Sequence, residues 1–274
     1  MKTALITGST DGIGRALAIS MAKRGYSIHI LGIGEEKGKD VLVQLQKVNP
    51  KGKHELFLVD LSTIKSNKEF IDMYNEKYDT LDLLVLNANA MFKEARVNVD
   101  GVDMGFMIGY LSRYMFSIGL DKIMKNTKNS RVLHIGGVTL VKPIRLDKLS
   151  NPDYKGSAST YMGFMANNLF VQFANKKGLT EVPYEFMEPG IVNTNTVKNQ
   201  NVLVRIISKL MGMIEPEESG ERIAMYLEDS QSNGGAFYNL GKRKYPKAVV
   251  QNGEDEFMKV LDYSVAITGF KFSD

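Results

Sequence analysis

The sequence predicts an α/β protein, a single domain of residues 1–274 built on a doubly wound parallel sheet of about seven strands. Three observations support this prediction. Short apolar runs alternate with longer amphipathic segments, a glycine-rich stretch follows the first apolar run, and no repeat, low-complexity stretch or linker divides the 274 residues. Strands that alternate with helices form βαβ units, which bury a parallel sheet between helices on both faces.

Each strand is predicted from a short apolar run bounded by turn residues or by an amphipathic segment. The predicted strands are 3–7, 26–33, 54–59, 81–86, 131–135, 183–187 and 236–239. The predicted helices are 12–24, 35–48, a polar helix between the third and fourth strands, 103–124, 159–177, 202–214, one that begins at 215–218, and 254–267. The first helix shows a typical end signal, because Lys23 and Arg24 complement the helix dipole and Gly25 stops the helix.

Composition and charge exclude several classes of protein. The chain is 43% hydrophobic and 24% charged, which is typical of a globular protein and not of a disordered or fibrous one. Its net charge of +4 comes without a long run of like charges, so we expect no nucleic-acid partner. Cysteine is absent, which excludes disulfides and thiolate metal sites and suits a reducing compartment; no metal site is predicted. No apolar stretch approaches the roughly 18 residues of a membrane span and no signal-peptide pattern opens the chain, so we expect a cytoplasmic protein without membrane contact.

A glycine-rich turn directly after the first strand predicts a nucleotide site. The stretch runs from Thr7 to Gly14 and contains Gly8, Gly12 and Gly14. The first glycine permits a tight turn, the second lets a pyrophosphate approach the backbone, and the third lets helix and strand pack closely. The helix that follows offers free N–H groups and a positive dipole to phosphate. A glycine triplet is specific only in this strand–turn–helix context, which the sequence provides.

The spacing of these glycines after a threonine resembles the short-chain dehydrogenase/reductase family. Further points along the chain agree with the resemblance: Asp60 after the third strand, Asn87-Ala88-Asn89 after the fourth with Asn89 in the place of the family glycine, and a Pro-Gly loop from Pro189 to Thr194. Tyr161 stands on the helix that should carry the catalytic tyrosine. The tail, at 215–220 and 234–238, is similar to the retinol-dehydrogenase-like branch. The resemblance covers nearly the whole chain and implies a Rossmann-like fold.

The resemblance implies that NAD or NADP binds at the carboxyl end of the sheet. The residues that it assigns to the cofactor are Gly8, Ser9, Asp11, Gly12, Ile13, Gly14, Ile33, Asp60, Leu61, Asn87, Ala88, Asn89, Pro189, Gly190, Val192 and Thr194. An acid at the end of the second strand favours NAD, and an arginine favours NADP. Gly32 and Ile33 stand at these two places, so neither cofactor is expected to be preferred. Lys37 and Lys39 lie nearby and are interpreted as a solvated helix face.

The family mechanism uses four residues, of which this chain keeps one. Tyr161 matches the acid/base tyrosine, but the lysine place four residues on holds Met165. The serine place after the fifth strand holds Gly137, and the asparagine place on the preceding helix holds Gly109. A free tyrosine titrates near pH 10, so without a cation beside it Tyr161 is a hydrogen-bond donor and a poor base. Acid/base catalysis is worth about 10²–10⁴ in rate, so ordinary carbonyl reduction should be badly impaired.

Three functions therefore remain open. The first is a weak or atypical oxidoreductase that uses Tyr161 on a small-molecule substrate. The second is a non-redox enzyme of cyclase, dehydratase or isomerase type on the same scaffold. The third is a non-catalytic nucleotide-binding or interaction module, with a second copy or an active paralogue as its partner. Fold alone does not choose among them.

Four residues near the site carry groups that could replace the three missing catalytic residues, but none is expected to do so. Thr139 offers a hydroxyl, His134 is interpreted as a core histidine, and Arg113 and Tyr110 as surface charge and core packing. The segment 194–214 corresponds to the family's substrate lid, with a membrane-surface or partner-binding helix as the alternative.

Overall fold

A sheet of seven parallel strands organises this computed structural model, which describes residues 1–137, 144–150, 156–194, 212–229, 236–239 and 253–272. The strands are β1 (Thr3–Thr7), β2 (Ser27–Gly32), β3 (Glu55–Leu58), β4 (Leu83–Leu86), β5 (Arg131–Ile135), β6 (Tyr184–Glu188) and β7 (Ala236–Asn239). Their order is β3-β2-β1-β4-β5-β6-β7, so the winding reverses between β1 and β4. Such a switch point opens a crevice outside the carboxyl ends of the strands, where ligands bind. The predicted doubly wound, Rossmann-like sheet is confirmed.

Helices connect the strands on both faces. They are α1 (Gly12–Lys23), α2 (Glu35–Val48), α3 (Ile64–Lys77), α4 (Met104–Phe106), α5 (Ser112–Gly119), α6 (Asp121–Lys125), α7 (Gly156–Ala174), α8 (Pro216–Asp229) and α9 (Gly253–Thr268). A single 3₁₀ turn, Leu146–Lys148, lies between β5 and α7. Most predicted elements are confirmed within one to three residues at their ends, the usual uncertainty of frayed helix and strand termini.

The predicted unbroken helix over 103–124 is wrong. The structure divides this stretch into α4, a π-helical segment at Met107–Leu111, α5 and α6. Glycine is a poor helix former, and three glycines within the stretch weaken the regular helix. The irregular segment is stabilised from outside, because the Asn167 side chain donates a hydrogen bond to the Gly109 carbonyl at 2.5 Å. π-helical turns of this kind are frequent at functional sites.

Alternate residues of the central strand bury themselves in two different apolar layers. Ala4 and Ile6 of β1 face a layer formed with α1, α2 and α8, whereas Leu5 faces a layer formed with α3, α5, α7 and α9. This alternation follows from the two-residue repeat of a strand. The sheet is therefore covered on both faces, as a parallel sheet requires.

Helices α1 and α8 are in unusually close contact. A Cβ atom on Gly220 would lie 2.6 Å from the backbone of Ala16, so the glycine lets the two helices approach backbone to backbone. Arg24 on α1 reinforces the contact, since its guanidinium lies 2.6 Å from Glu221 and 3.0 Å from Glu228. Helix α8 is thereby attached to the helix that follows the glycine-rich turn.

The C-terminal helix α9 covers α5 and α7. Phe257 stacks on Phe173 with ring centroids 5.5 Å apart, and the Ser264 hydroxyl donates to the Tyr110 hydroxyl at 3.1 Å. The Tyr114 hydroxyl donates to the carbonyl of Phe270 at 2.7 Å. Helix α7 is consequently buried around almost its whole circumference, which explains why its sequence is apolar on every side.

The predicted helix over 202–214 and most of the predicted lid lie outside the described residues. The two described ends of this stretch meet, because Val192 and Ile214 form a short parallel bridge. The Asn193 amide donates to the Ile214 carbonyl at 2.9 Å. Among the described helices, none has both the length and the apolar character that a bilayer crossing demands.

A buried histidine on β2 makes the stability of the fold depend on pH. His29 is enclosed by Phe57, Tyr74 and Tyr78, and its Nδ1 lies 2.7 Å from the Tyr74 hydroxyl. Burial lowers the pKa of His29 to about 4. His134 on β5 is also fully buried, and burial with the nearby Arg113 charge lowers its pKa to about 3. Both histidines are therefore neutral in the folded protein near pH 5, whereas they are protonated in the unfolded chain below about pH 6.5.

The free energy of unfolding should fall as the pH is lowered from 6.5 to about 5. In that interval the unfolded chain takes up protons at both histidines, whereas the two histidines stay neutral in the folded protein. Each histidine therefore lowers the free energy of unfolding by about 1.4 kcal/mol per pH unit. Urea denaturation at pH 7, 6 and 5 measures the slope. His29→Gln, which keeps a hydrogen-bonding partner for Tyr74 but does not titrate, should remove about half of it. If the slope is unchanged in this variant, His29 is not a source of the pH dependence.

Candidate functional site

The glycine-rich turn adopts the conformation that the sequence predicts. Gly8 and Gly12 have positive φ angles of 66° and 54°, which side chains disfavour. A Cβ on Gly14 would lie 2.3 Å from the Gly8 carbonyl oxygen and 2.5 Å from Nδ2 of Asn87. A Cβ on Gly8 would lie 2.8 Å from Cα of Ala88. The three glycines thus allow β1, β4 and the start of α1 to meet without side chains between them.

The turn is also tied together by its polar side chains. Ser9 is buried, and its hydroxyl donates to the Ile6 carbonyl at 2.6 Å and accepts from the Leu31 amide at 3.1 Å. Its side chain therefore holds the turn, and the assignment of Ser9 to the cofactor stays a prediction. Asp11 caps α1 by accepting from the Gly12 amide at 2.8 Å. Ile13 follows on the first turn of α1 and packs partly against the core.

Lys37 pairs with Asp11 across the mouth of a cavity of about 230 Å³ between α1 and α2. The Lys37 ammonium lies 2.6 Å from the Asp11 carboxylate, and this bond holds the pKa of Asp11 below its usual value. Lys37 and Lys39 are 61% and 66% exposed, in agreement with the predicted solvated helix face, and Lys39 pairs with Glu35. The cavity is lined by Thr10, Asp11, Arg15, Lys37, Asp40, Val41 and Gln44.

The end of β2 carries no charge that would choose between the two cofactors. A Cβ on Gly32 would lie 2.7 Å from Cγ2 of Thr10, so a side chain at residue 32 would require Thr10 to shift. Ile33 is 78% exposed beside it, an unusual exposure for so large an apolar side chain. Asp60 is exposed as well, and its carboxylate accepts from the Ser62 amide at 2.9 Å, while Leu61 is buried.

Asn87 joins the ends of β4 and β1. Its Nδ2 donates to the carbonyls of Thr7 and Gly8 at 3.1 and 3.2 Å. The Thr7 hydroxyl in turn accepts from the amides of Asn87 and Ala88 at 3.0 and 3.1 Å. This reciprocal set of hydrogen bonds fixes the two strand ends that flank the switch point.

A fully buried arginine fixes the next pair of strand ends. Arg113 on α5 is 1% exposed, and its guanidinium donates to the Ala88 carbonyl and to the Ile135 carbonyl, both at 2.8 Å. Burial lowers its pKa to about 9, and its Nε has no hydrogen-bond partner. The interpretation of Arg113 as a surface charge was wrong. The sequence did contain a signal of this burial, because Arg113 lies one turn after Gly109 on an otherwise apolar helix.

The loop after β6 reaches the glycine-rich turn. Pro189 and Gly190 open this loop, and Gly190 has a positive φ of 78°. Val192 is buried, and the Thr194 amide donates to its carbonyl at 2.7 Å. A Cβ on Gly12 would lie 3.3 Å from Cγ2 of Thr194, so the loop lies directly against the start of α1.

Tyr161 is held in place while its hydroxyl stays free. The two residues before it anchor the helix, because the Ser159 hydroxyl donates to Asp103 at 2.5 Å and the Thr160 hydroxyl donates to the Ala90 carbonyl at 3.3 Å. Tyr161 is 51% exposed, and its ring packs edge-on against Phe164 at a centroid distance of 6.3 Å. Within the described part of the chain, no hydrogen bond to its hydroxyl is found.

Phe164, the ring that packs against Tyr161, also lies against the residue that follows the end of β5. A Cβ on Gly137 would lie 3.2 Å from the Phe164 ring, so this ring fills the space where a side chain at residue 137 would begin. Met165 is buried. The Gly109 carbonyl is occupied by Asn167, as described above. A serine at residue 137 would therefore require the Phe164 ring to move.

His134 belongs to the core, as predicted, and not to the site. The Asn167 side chain donates through Nδ2, so its Oδ1 accepts from His134 Nδ1 at 3.2 Å, and Nε2 of the same ring lies 3.4 Å from the Ser117 hydroxyl. Tyr110 is also buried. Thr139, the other replacement considered from the sequence, lies outside the described residues.

A doubly wound parallel sheet with a glycine-rich turn opening a helix at its switch point defines a dinucleotide-binding α/β protein. Comparison with known sequences specifies the class further. The family profile described as short chain dehydrogenase matches residues 2–202, and the chain belongs to this family.

Similar proteins include dehydrogenases of isoprenoid alcohols. Polyprenol dehydrogenase of Homo sapiens is 27% identical over 222 residues, which are 78% of this chain and 67% of that protein. Retinol dehydrogenase 12 of Mus musculus is 23% identical over 257 residues, 92% of this chain and 81% of that protein. A short chain dehydrogenase from Burkholderia cenocepacia, solved in complex with NADP, superposes with a TM-score of 0.69 at 17% identity and covers 87% of this chain and 95% of its own. The alcohol dehydrogenase of Thermococcus sibiricus superposes with a TM-score of 0.66 at 19% identity, covering 90% and 99%.

Replacing Arg113 should weaken dinucleotide binding through the strand ends that it holds. Arg113→Lys keeps the charge but loses the planar fork that reaches β4 and β5 together. We expect NADPH to bind at least about tenfold more weakly, equal to about 1.4 kcal/mol, as measured by its fluorescence on binding. The matched control is Arg131→Lys, at the opposite end of β5, where the buried guanidinium lies 3.6 Å from Glu185. That variant should lose stability and keep its NADPH affinity; equal affinities in both variants would contradict a role for Arg113 in the site.

Proposed function

We propose that this chain is an NAD(P)-binding member of its family whose ordinary carbonyl and alcohol redox activity is weak, altered or lost, which makes it a candidate pseudoenzyme. The proposal rests on a difference between the two parts of the site, the glycine-rich turn and the surroundings of Tyr161. The glycine-rich turn and its partner Asn87 are intact, whereas the surroundings of Tyr161 offer Phe164, Met165 and Gly137 in place of polar groups.

The residues at the turn fit a dinucleotide. A Cβ on Gly8, Gly12 or Gly14 would meet Ala88, Thr194 or the Gly8 carbonyl, so the glycines let the turn pack closely, and α1 begins there with the positive end of its dipole. Structural neighbours of this fold were solved with NADP bound. When bound, such a cofactor supplies or accepts a hydride. The chain's own part is to hold the pyrophosphate at the turn and the adenosine beside Ile33.

Both cofactors should bind with similar affinity. Gly32 has no side chain to meet the 2′-position, and the Lys37 charge is already offset by Asp11 at 2.6 Å, so neither residue selects the 2′-position strongly. Calorimetric titration with NADPH and with NADH should give dissociation constants within about fivefold of each other, or about 1 kcal/mol. Gly14→Ala, whose Cβ would meet the Gly8 carbonyl, should abolish both. The absence of heat at millimolar concentrations of either cofactor in the unaltered protein would leave only the fold in common with the family.

The chemistry expected at Tyr161 is hydrogen-bond donation. No lysine lies four residues on, since Met165 stands there, and the Phe164 ring occupies the space beside Gly137. A neutral phenol can donate a hydrogen bond to a ligand oxygen without being a base. Because the four groups of the family mechanism act as a unit, the loss of three should lower the rate by orders of magnitude.

The apolar surroundings of Tyr161 favour a long apolar alcohol or aldehyde as the ligand. The similar proteins named for polyprenol and retinol agree with this class. Tyr161→Phe removes the hydroxyl and keeps the ring against Phe164, so we expect unchanged stability and retinal binding weakened by about 0.5–1.5 kcal/mol. A fluorescence titration of the NADPH complex with retinal measures this loss, and turnover of retinal is followed in the same samples.

Tyr26→Phe is the matched control, because Tyr26 lies before β2 at the other edge of the sheet. If Tyr161→Phe and Tyr26→Phe behave alike in binding and turnover, Tyr161 is not a ligand contact. The non-catalytic interaction module would then be the better description. Turnover of a substrate without consumption of NADPH would instead favour the non-redox enzyme.

A further inference from the structure

Two residues that are far apart in sequence share one small space at the site. A Cβ built on Gly109 would lie 3.1 Å from Oδ1 of Asn89, tighter than ordinary contact, and no other described atom outside its own helix and chain neighbours comes within 4 Å. The Asn89 side chain therefore occupies the space over the Gly109 Cα atom. This explains why a glycine stands in the middle of the π-helical segment.

This space lies where three elements of the site cross. Asn89 follows β4, Gly109 is in the π-helical segment, and a Cβ on Gly163 of α7 would lie 3.9 Å from the Gly109 Cα. The Ala90 carbonyl, directly after Asn89, accepts the hydrogen bond from Thr160, the residue before Tyr161. The Asn89 carboxamide is therefore carried by the same loop that anchors Tyr161.

The side-chain amide of Asn89 has N–H donors that remain available for a ligand. Its Oδ1 accepts from the Ala90 amide at 3.0 Å, which fixes the orientation of the carboxamide. Within the described part of the chain its Nδ2 makes no hydrogen bond, and the residue is exposed. The side-chain amides of Asn87 and Asn167 differ, because each donates through Nδ2 to two backbone carbonyls. Of these three, Asn89 alone keeps both N–H groups for a ligand.

We propose that Asn89 is a second ligand-binding donor of this site, which donates through Nδ2 to the carbonyl or hydroxyl oxygen of the small molecule held beside Tyr161. Gly109 is the complementary residue that makes room for it. The proposal rests on the proposed function, since it requires a ligand at Tyr161. It supplies a polar contact to a ligand oxygen in a region where Gly137 and Met165 offer none.

Asn89→Asp tests the donor. The carboxylate keeps the shape of the side chain and the acceptor for the Ala90 amide, and it replaces both N–H donors by an acceptor. At saturating NADPH, we expect retinal to bind at least about tenfold more weakly, a larger loss than any change in NADPH affinity, with an unchanged Tm. Asn126→Asp adds the same charge near Asp79, before the opposite end of β4, and should change neither affinity.

The outcomes separate this proposal from the proposed function. If the unaltered protein does not bind NADPH, the proposed function fails. If it binds NADPH and retinal and Asn89→Asp binds retinal as tightly, Asn89 donates no hydrogen bond to the ligand. If Asn89→Asp weakens NADPH and retinal equally, Asn89 contacts the cofactor and the proposal is overturned.

A double-variant cycle tests the shared space independently of the donor. Gly109→Ala should lower the Tm of the unaltered protein by about 2 °C or more and weaken retinal binding, because the new Cβ displaces the Asn89 carboxamide. In an Asn89→Gly background the same Gly109→Ala change should raise the Tm, since alanine favours helix and nothing opposes it. An equal Tm shift in both backgrounds would show that the two residues do not share the space.

Discussion

A buried guanidinium holds the carboxyl edge of the sheet together. Arg113 donates to carbonyls at the ends of β4 and β5, and the end of β4 is bonded through Asn87 to β1. A cation removed from water is costly unless it is hydrogen-bonded, and here both terminal nitrogens donate to backbone carbonyls, while Nε has no partner among the described residues. The glycine-rich turn, the loop that carries Asn89 and the strand that leads to Gly137 are all placed relative to this group.

The crevice built on this edge is divided into two parts of different character. Around the turn, the side chains of Asn87 and Thr7 bond to backbone groups, and Asp11 bonds to the Gly12 amide and to Lys37. Around Tyr161, the ring of Phe164 lies against Gly137 and the helix is buried on its remaining sides. The first part therefore presents polar groups, whereas the second presents the aromatic ring of Phe164.

Local patterns in the sequence predict the strands, most helices and the turn, because each depends on residues close together along the chain. Arg113 was misjudged because a charged residue on a helix is usually at the surface, and only the tertiary fold shows that this helix has no exposed side. The contact between Asn89 and Gly109 is invisible to pattern analysis, since it arises where β4 and an irregular helix meet. The π-helical segment escaped prediction for the same reason, as its carbonyl is satisfied by Asn167 on a different helix.

Because α1 and α8 are in backbone contact at Gly220, we expect the two helices to move together. Close-packed interiors resist compression and transmit displacement, and there is no side chain between Gly220 and Ala16 to absorb it. The described residues that begin at 212 are thus attached through α8 to the helix that opens at the glycine-rich turn. Any tilt of α1 would displace α8 with it, together with the bridge that Ile214 forms to Val192.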